Sequence, residues 1–110
     1  IFTVELAITP KEKERGLGYR DRLAPDHGML FPYDHTEQYG FWMRGMRFPI
    51  DMVWIDGKMI VDITPNVPVA ISDTLPVYRP KVSVDKILEL TAGTVERVGI
   101  AIGDTVEILR

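Results

Sequence analysis

No cysteine occurs among the 110 residues of this chain. Disulfides, thiolate nucleophiles and cysteine-based zinc sites are excluded together. There is also no apolar run approaching the ~20 residues that a membrane-spanning helix needs. No transmembrane segment is expected. Lysine and arginine total 13 against 16 acidic residues, a formal net charge of −3, and the one cationic run, residues 11–15, alternates with glutamate. Without a basic field to gather phosphates, nucleic acid is not an expected partner. Serine is confined to Ser72 and Ser83, neither in a G-x-S-x-G elbow, and His27 and His35 sit in turn-rich segments. Serine hydrolysis is therefore improbable, and no glycine spacing suits a phosphate-cradling loop.

What remains is ordinary globular composition: 45% apolar and 26% charged residues, in a length that one core accounts for. A single domain over residues 1–110 is expected. Because the chain opens at Ile1 directly into a strand pattern, it reads as a mature or trimmed form with any export signal outside it. Phe2, Val4, Leu6 and Ile8 alternate with Thr3, Glu5 and Ala7 at the period of a half-buried strand. Thr9, Pro10 and Glu12 then predict a capped helix of about two turns, ended by Gly16 and Gly18.

"HGMLFPY", "YGFWMRG", "ILELTAG" and "DTVEILR" read as further strands, with a brief helical turn over "TVERVG" and a proline-rich loop over residues 65–80. Many short strands and little helix predict an all-β, mainly antiparallel fold. A jelly-roll-like β-sandwich or small barrel with one short N-terminal helix is expected.

The densest segment is "FWMRGMRFPIDMVWI", residues 41–55. Its second half forms a hairpin with "KMIVDIT", and Asp56-Gly57 reads as a two-residue type I′ turn. That register sets Trp54 opposite Met59, Met52 opposite Val61 and Asp51 opposite Asp62. Directly opposed carboxylates repel, so an arginine, a cation or a shared proton is expected beside them. Asp51 also has a plainer reading, as a backbone acceptor fixing the corner after Pro49. The aromatic and methionine side chains build an ordinary core, although Met43, Met46, Met29, His27 and His35 offer soft ligands if they converge. Met43 and Met46 diverge along a strand unless Gly45 bulges. Glu89 lies between Leu88 and Leu90, which points it away from a core that takes the leucines and predicts a solvated or arginine-paired side chain.

"ERGLGYRDRL", "HGMLFPY", "FWMRGMRFPIDMVWID", "ILELTAG" and "IGDTV", in that order, resemble the small prokaryotic family catalogued as domain of unknown function 192. The resemblance runs from about Val4 to Val106. Two departures stand out: Gly18 where the family commonly has methionine, and Arg44-Gly45-Met46 where it has a Lys-Asn-Thr-like segment. Arg20, Trp42, Met43, Asp51 and Glu89 match the family pattern, which assigns them no role. The resemblance implies an all-β, jelly-roll-like domain, often exported, placed in the periplasm or outside the cell.

From these readings a non-enzymatic small-ligand-binding or accessory domain is expected. Trp42, Arg44, Arg47 and Asp51 form its site, the aromatic face stacking on a ligand whose polar groups the charges hold. A protein partner is an open alternative, and no cofactor or resident metal is expected. A second reading is an enzyme using Asp51 with Asp62 or Glu89 as acid and base. A third is Cu(I) binding through methionine.

Overall fold

The computed structural model describes residues 1–71 and 75–109. Five strands carry the fold: β1 Thr3–Leu6, β2 His27–Glu37, β3 Ile50–Asp56, β4 Met59–Val67 and β5 Val84–Thr91. Two helices, α1 Pro10–Arg15 and α2 Thr94–Val98, accompany them. The strands form one mixed sheet in the order β1-β2-β5-β3-β4. β1 runs parallel to β2, and the other three pairings are antiparallel. The sandwich or barrel expected from the sequence has no second sheet among the described residues. No described helix is long and apolar enough to cross a membrane.

Helix α1 forms for the predicted reason. Thr9 Oγ1 accepts the Glu12 N–H at 3.1 Å while Glu12 Oε1 accepts the Thr9 N–H at 2.9 Å, and Pro10 opens the helix where no N–H is needed. Gly16 closes it, its N–H donating to the Glu12 carbonyl at 2.8 Å.

The hairpin exists with a shifted turn. Asp56 pairs with Met59, so the two loop residues are Gly57 and Lys58, and of these only Gly57 takes a positive φ, 62°. Glycine at the first loop position is what a type II′ turn requires. β5 holds it there: the Gly57 N–H donates to Asp85 Oδ1 at 3.1 Å, and Lys86 Nζ donates to the Gly57 carbonyl at 2.8 Å. Beyond the turn the register slips twice more, setting Trp54 opposite Asp62, Met52 opposite Thr64 and Ile50 opposite Val67. Asp51 is therefore not across from Asp62.

Both faces of this sheet are covered. Met29 and Phe31 of β2, Ile50, Met52 and Trp54 of β3, and Ile87 of β5 share one face with Phe41, Met43, Met46 and Phe48 from the segment before β3. Leu30, Val53, Ile55 and Leu90 face the other way, against Phe2, Val4, Val95, Ile100 and Val106. Strand β3 is consequently buried from Ile50 through Ile55 without alternation. The same geometry reverses part of the β1 reading: Leu6 and Ile8 are exposed at the sheet edge, whereas Ala7 is fully buried in the first cluster.

Two predicted strands are not strands. "YGFWMRG" makes only an isolated bridge, Phe41 to Tyr78, before turning, and "DTVEILR" contributes a single bridge, Thr105 to Met59. In each case the backbone hydrogen bonds go to a loop or an edge, so there is no ladder to extend.

Candidate functional site

Residues 43–46 form a tight turn, the Met43 carbonyl accepting the Met46 N–H at 3.1 Å, with Gly45 at φ 73°. A positive φ at the third position is what a type II turn needs. The turn sends Met43 and Met46 both into the first core cluster, where a strand would have separated them. It leaves Trp42, Arg44 and Arg47 outside.

The Arg44 guanidinium carbon lies 5.4 Å from the centre of the Trp42 ring, and that ring remains 40% exposed. Arg47 Nη1 donates to Asp21 Oδ1 at 2.7 Å in a solvent-exposed pair. Tyr19 closes the near side, its N–H donating to the Gly45 carbonyl at 2.8 Å. A Cβ on Gly45 would fall 2.7 Å from the Tyr19 ring, so only glycine lets the loop after α1 and this turn meet. Tyr19, Arg44, Gly45 and Arg47, with Met43 and Met46 and with Ala70 and Leu75 on the far side, bound an open cleft of about 640 Å³, and Trp42 stands outside that lining in contact with Arg44. Tyr19 carried no sequence signal, because its place in the cleft depends on two loops meeting across a glycine.

Asp51 is elsewhere. It is 1% exposed, on the face opposite Met52 and Trp54, and its carboxylate is divided between two backbone donors. Oδ1 accepts the Asn66 N–H at 2.8 Å, and Oδ2 accepts the Val95 N–H at 2.9 Å. The first donor belongs to an irregularity in β4: Pro65 and Asn66 both fall between the pairs Ile50–Val67 and Met52–Thr64, and Asn66 takes φ 53°. Such a bulge leaves a residue outside the ladder, and Asp51 supplies the missing acceptor. The second donor lies in the first turn of α2, whose N-cap is Gly93 with no side chain to cap it. Asp51 caps that helix from 44 residues away in sequence, favoured by the positive end of the helix dipole.

Asp62, paired with Trp54, lies on the opposite face from Asp51 and is also satisfied by backbone. Its Oδ1 accepts the Ile63 N–H at 2.9 Å and its Oδ2 the Lys81 N–H at 2.8 Å, tying the proline-rich loop to β4. The carboxylate pairing of Asp51 with Asp62 or Glu89 is thus corrected: the register places Asp51 on one face and both partners on the other.

Glu89 overturns the other carboxylate expectation. It does point away from Leu90, but that side of the sheet is also core, and Glu89 is 4% exposed between Met29 and Met52, its register partners on β2 and β3. Among the described residues no cation forms an ion pair with its carboxyl group. Burial alone pushes its pKa up to about 8, because the charged form loses hydration and gains no counter-charge. Tyr33, whose hydroxyl is pushed up to about 12 mainly by its own burial, is a further acid of this region. Its ring stacks on Tyr39 with centroids 3.7 Å apart.

The methionine ligand set is only partly assembled. Met29, Met43, Met46 and Met52 share the first core cluster, while His27 and His35 lie on exposed positions of β2, His35 beside Glu37 at 2.9 Å. Among the described residues no group of three or more histidine and acidic side chains is placed to hold a metal.

A five-stranded mixed sheet covered on both faces, with an arginine-rimmed cleft beside the turn that precedes β3, defines a small β-rich domain. The chain belongs to the DUF192 family, described as "Uncharacterized ACR", whose model matches residues 1–108. A solved structure from Sinorhizobium meliloti 1021, of a proposed transcription regulator, is 41% identical with a TM-score of 0.85, covering 96% of this chain and 81% of that one. A protein of unknown function from Novosphingobium aromaticivorans DSM 12444 is 30% identical, also with a TM-score of 0.85, covering 97% and 75%. No curated protein matches the chain.

Proposed function

We propose that the domain is a non-enzymatic binding module that holds a small polar ligand in the cleft beside Trp42, Arg44 and Arg47. The observation that carries this reading is the cleft itself: about 640 Å³, within the range of small-molecule sites, with two guanidinium groups on its wall and an exposed indole beside it. Arginine presents a planar fork of donors matched to carboxylate oxygens, and an indole face stacks on apolar surface, so acidic sugars are the ligand class that uses both. Asp51 enters this reading as framework, since both of its oxygens are engaged by backbone.

The transcription-regulator role proposed for the Sinorhizobium protein would reach this chain only through a partner, because the net charge of −3 argues against direct contact with DNA. The family resemblance supports an exported location. Fractionation of cells expressing the full-length gene product tests that part: recovery from the cytoplasm alone would refute it.

Calorimetric titration with glucuronate and galacturonate, beside their uncharged parent sugars, tests the ligand. Arg44→Ala and Arg47→Ala are each expected to weaken uronate binding by about tenfold or more, as loss of a charge-assisted hydrogen bond does. Unchanged affinity in both variants would remove the cleft from the reading.

A further inference from the structure

The two faces of the sheet are covered by different means. Over the second face, beyond α2, the chain from Ile100 to Leu109 forms no strand. One isolated bridge joins Thr105 to Met59, and three backbone hydrogen bonds tie the segment to the edge of the hairpin: the Ile60 N–H to the Asp104 carbonyl at 2.9 Å, the Gly103 N–H to the Ile60 carbonyl at 2.8 Å and the Val106 N–H to the Lys58 carbonyl at 2.6 Å. Past Val106 no backbone hydrogen bond among the described residues holds 107–109, and Ile108 and Leu109 stand 43% and 67% exposed. A cover without ladder or helix does not interdigitate with the sheet along its length, and a cavity of about 430 Å³ remains beneath it.

Shape and chemistry of this cavity both select its occupant. Every strand contributes an aliphatic wall: Val4 from β1, Leu30 from β2, Leu88 from β5, Val53 and Ile55 from β3, and Ile60 from β4. β1 and β4 are the outer strands, four strand spacings or roughly 19 Å apart. A volume of about 430 Å³ reaching across that span is long and narrow, which suits one extended hydrocarbon chain better than a ring. None of these six walls carries a polar side chain, and apolar cavities stay dry and take apolar ligands. The charged groups of the lining are Asp104 and Glu107 of the cover and the α-amino group of Ile1, two carboxylates against one cation, with the Thr105 hydroxyl between them in sequence. Asp104 Oδ2 accepts the Ala101 N–H at 2.8 Å, and among the described residues neither carboxylate forms an ion pair. A carboxylate headgroup is repelled there and an ammonium is attracted.

We propose that this cavity binds a straight-chain alkylammonium, its hydrocarbon chain lying across the five strands and its cationic head at Asp104 and Glu107. The site occupies the face opposite Met43 and Met46 and does not rest on the reading given to the arginine-rimmed cleft. Entry needs only the 107–109 end of the cover to lift, which leaves the five-stranded ladder intact. Chain length is then read directly in affinity, since each buried methylene contributes about fourfold until the cavity is full.

NMR titration of the methyl-labelled protein with hexylammonium and octylammonium, beside octanoate and 1-octanol, tests this. Octylammonium is expected to give saturable shifts of the Leu30, Val53 and Leu88 methyl groups with Met43 and Met46 unmoved, and to bind about tenfold or more tighter than hexylammonium. Octanoate is expected to bind about tenfold or more weaker than octylammonium, as two like charges at the cover require. Val106→Phe fills the cavity from a segment outside the ladder and is expected to weaken octylammonium by about tenfold or more, with unchanged Met43 and Met46 methyl shifts reporting an intact fold. Glu107→Gln with Asp104→Asn, two exposed positions where the asparagine oxygen still accepts the Ala101 N–H, is expected to bring octylammonium and 1-octanol to equal affinity. Octanoate binding as tightly as octylammonium would overturn the proposal, as would a preference for the ammonium that survives the double variant, or affinity unchanged by Val106→Phe. So would an absence of octylammonium binding, or cavity methyl shifts that follow protein concentration instead, which would make a second copy of this chain the occupant.

Discussion

Asp51 and Glu89 show how two acids in one small sheet acquire opposite characters from their neighbours. Asp51 accepts two backbone N–H groups that have no other place to go, one from the β4 bulge and one from the first turn of α2. Asp51→Ala leaves both donors buried without an acceptor and is expected to lower stability by about 2–4 kcal/mol in chemical denaturation. Asp51→Asn should cost less, since the amide oxygen still accepts one of them. Glu89 has the reverse signature. Burial raises its folded-state pKa to about 8 from the ordinary glutamate value of 4.5, so between those limits the folded protein holds a proton that the unfolded chain has lost. Stability from this group is full below about pH 4.5, falls as pH rises toward 8 by at most about 1.4 kcal/mol per unit, and levels off above it. Glu89→Gln removes that slope, which denaturant melts at pH 5, 6.5 and 8 would show as a flat profile relative to the parent.

Among the elements, two turns with glycines at similar φ carry different consequences. Gly57 has φ 62°, and a Cβ there meets nothing within 4 Å, so Gly57→Ala is charged only the backbone strain, about 1 kcal/mol. Gly45 has φ 73°, and its Cβ would strike the Tyr19 ring at 2.7 Å. Gly45→Ala therefore adds a packing clash to the same strain and is expected to cost about 2–4 kcal/mol while opening the cleft. Equal midpoint shifts in the two variants would mean that the contact with Tyr19 contributes nothing. The capping box of α1 is more routine: Thr9→Ala is expected to lower stability by about 1 kcal/mol.

For the whole molecule, the consequential fact is that β5, the last strand in sequence, lies between β2 and β3 and joins the N-terminal strands to the hairpin. A central sheet covered on both faces has little room for solvated positions, which is why β3 is buried along nearly its whole length. The covering is uneven. On the second face a cavity of about 430 Å³ remains among Val4, Leu30, Val53, Ile55, Leu88 and Val106. Val106→Leu adds one methylene to this space and is expected to raise stability by about 0.5–1 kcal/mol, read as an increased denaturation midpoint. A lower midpoint would show that the segment carrying Val106 cannot move to accommodate it.

The order of residues alone decided the local features whose partners lie close in the chain. The capping box of Thr9 and Glu12, the brief helix over Thr94–Val98, the existence of the hairpin and the family follow from patterns a few residues wide, because caps, turns and strand periodicity are short-range physics. Register was not legible, since it was set by Asp85 and Lys86 clamping Gly57 and by a bulge that Asp51 completes from the neighbouring strand. The surroundings of Glu89 were not legible either: alternation shows which side a residue takes, while only the tertiary structure shows that both sides are covered. The candidate cleft was read in part, through Arg44 and Arg47, which share one short segment, while Trp42 stands outside its lining and Asp51 is engaged elsewhere by backbone. Tyr19, Ala70 and Leu75 were supplied by the fold, because residues so distant in sequence meet only when the loops around the sheet come together.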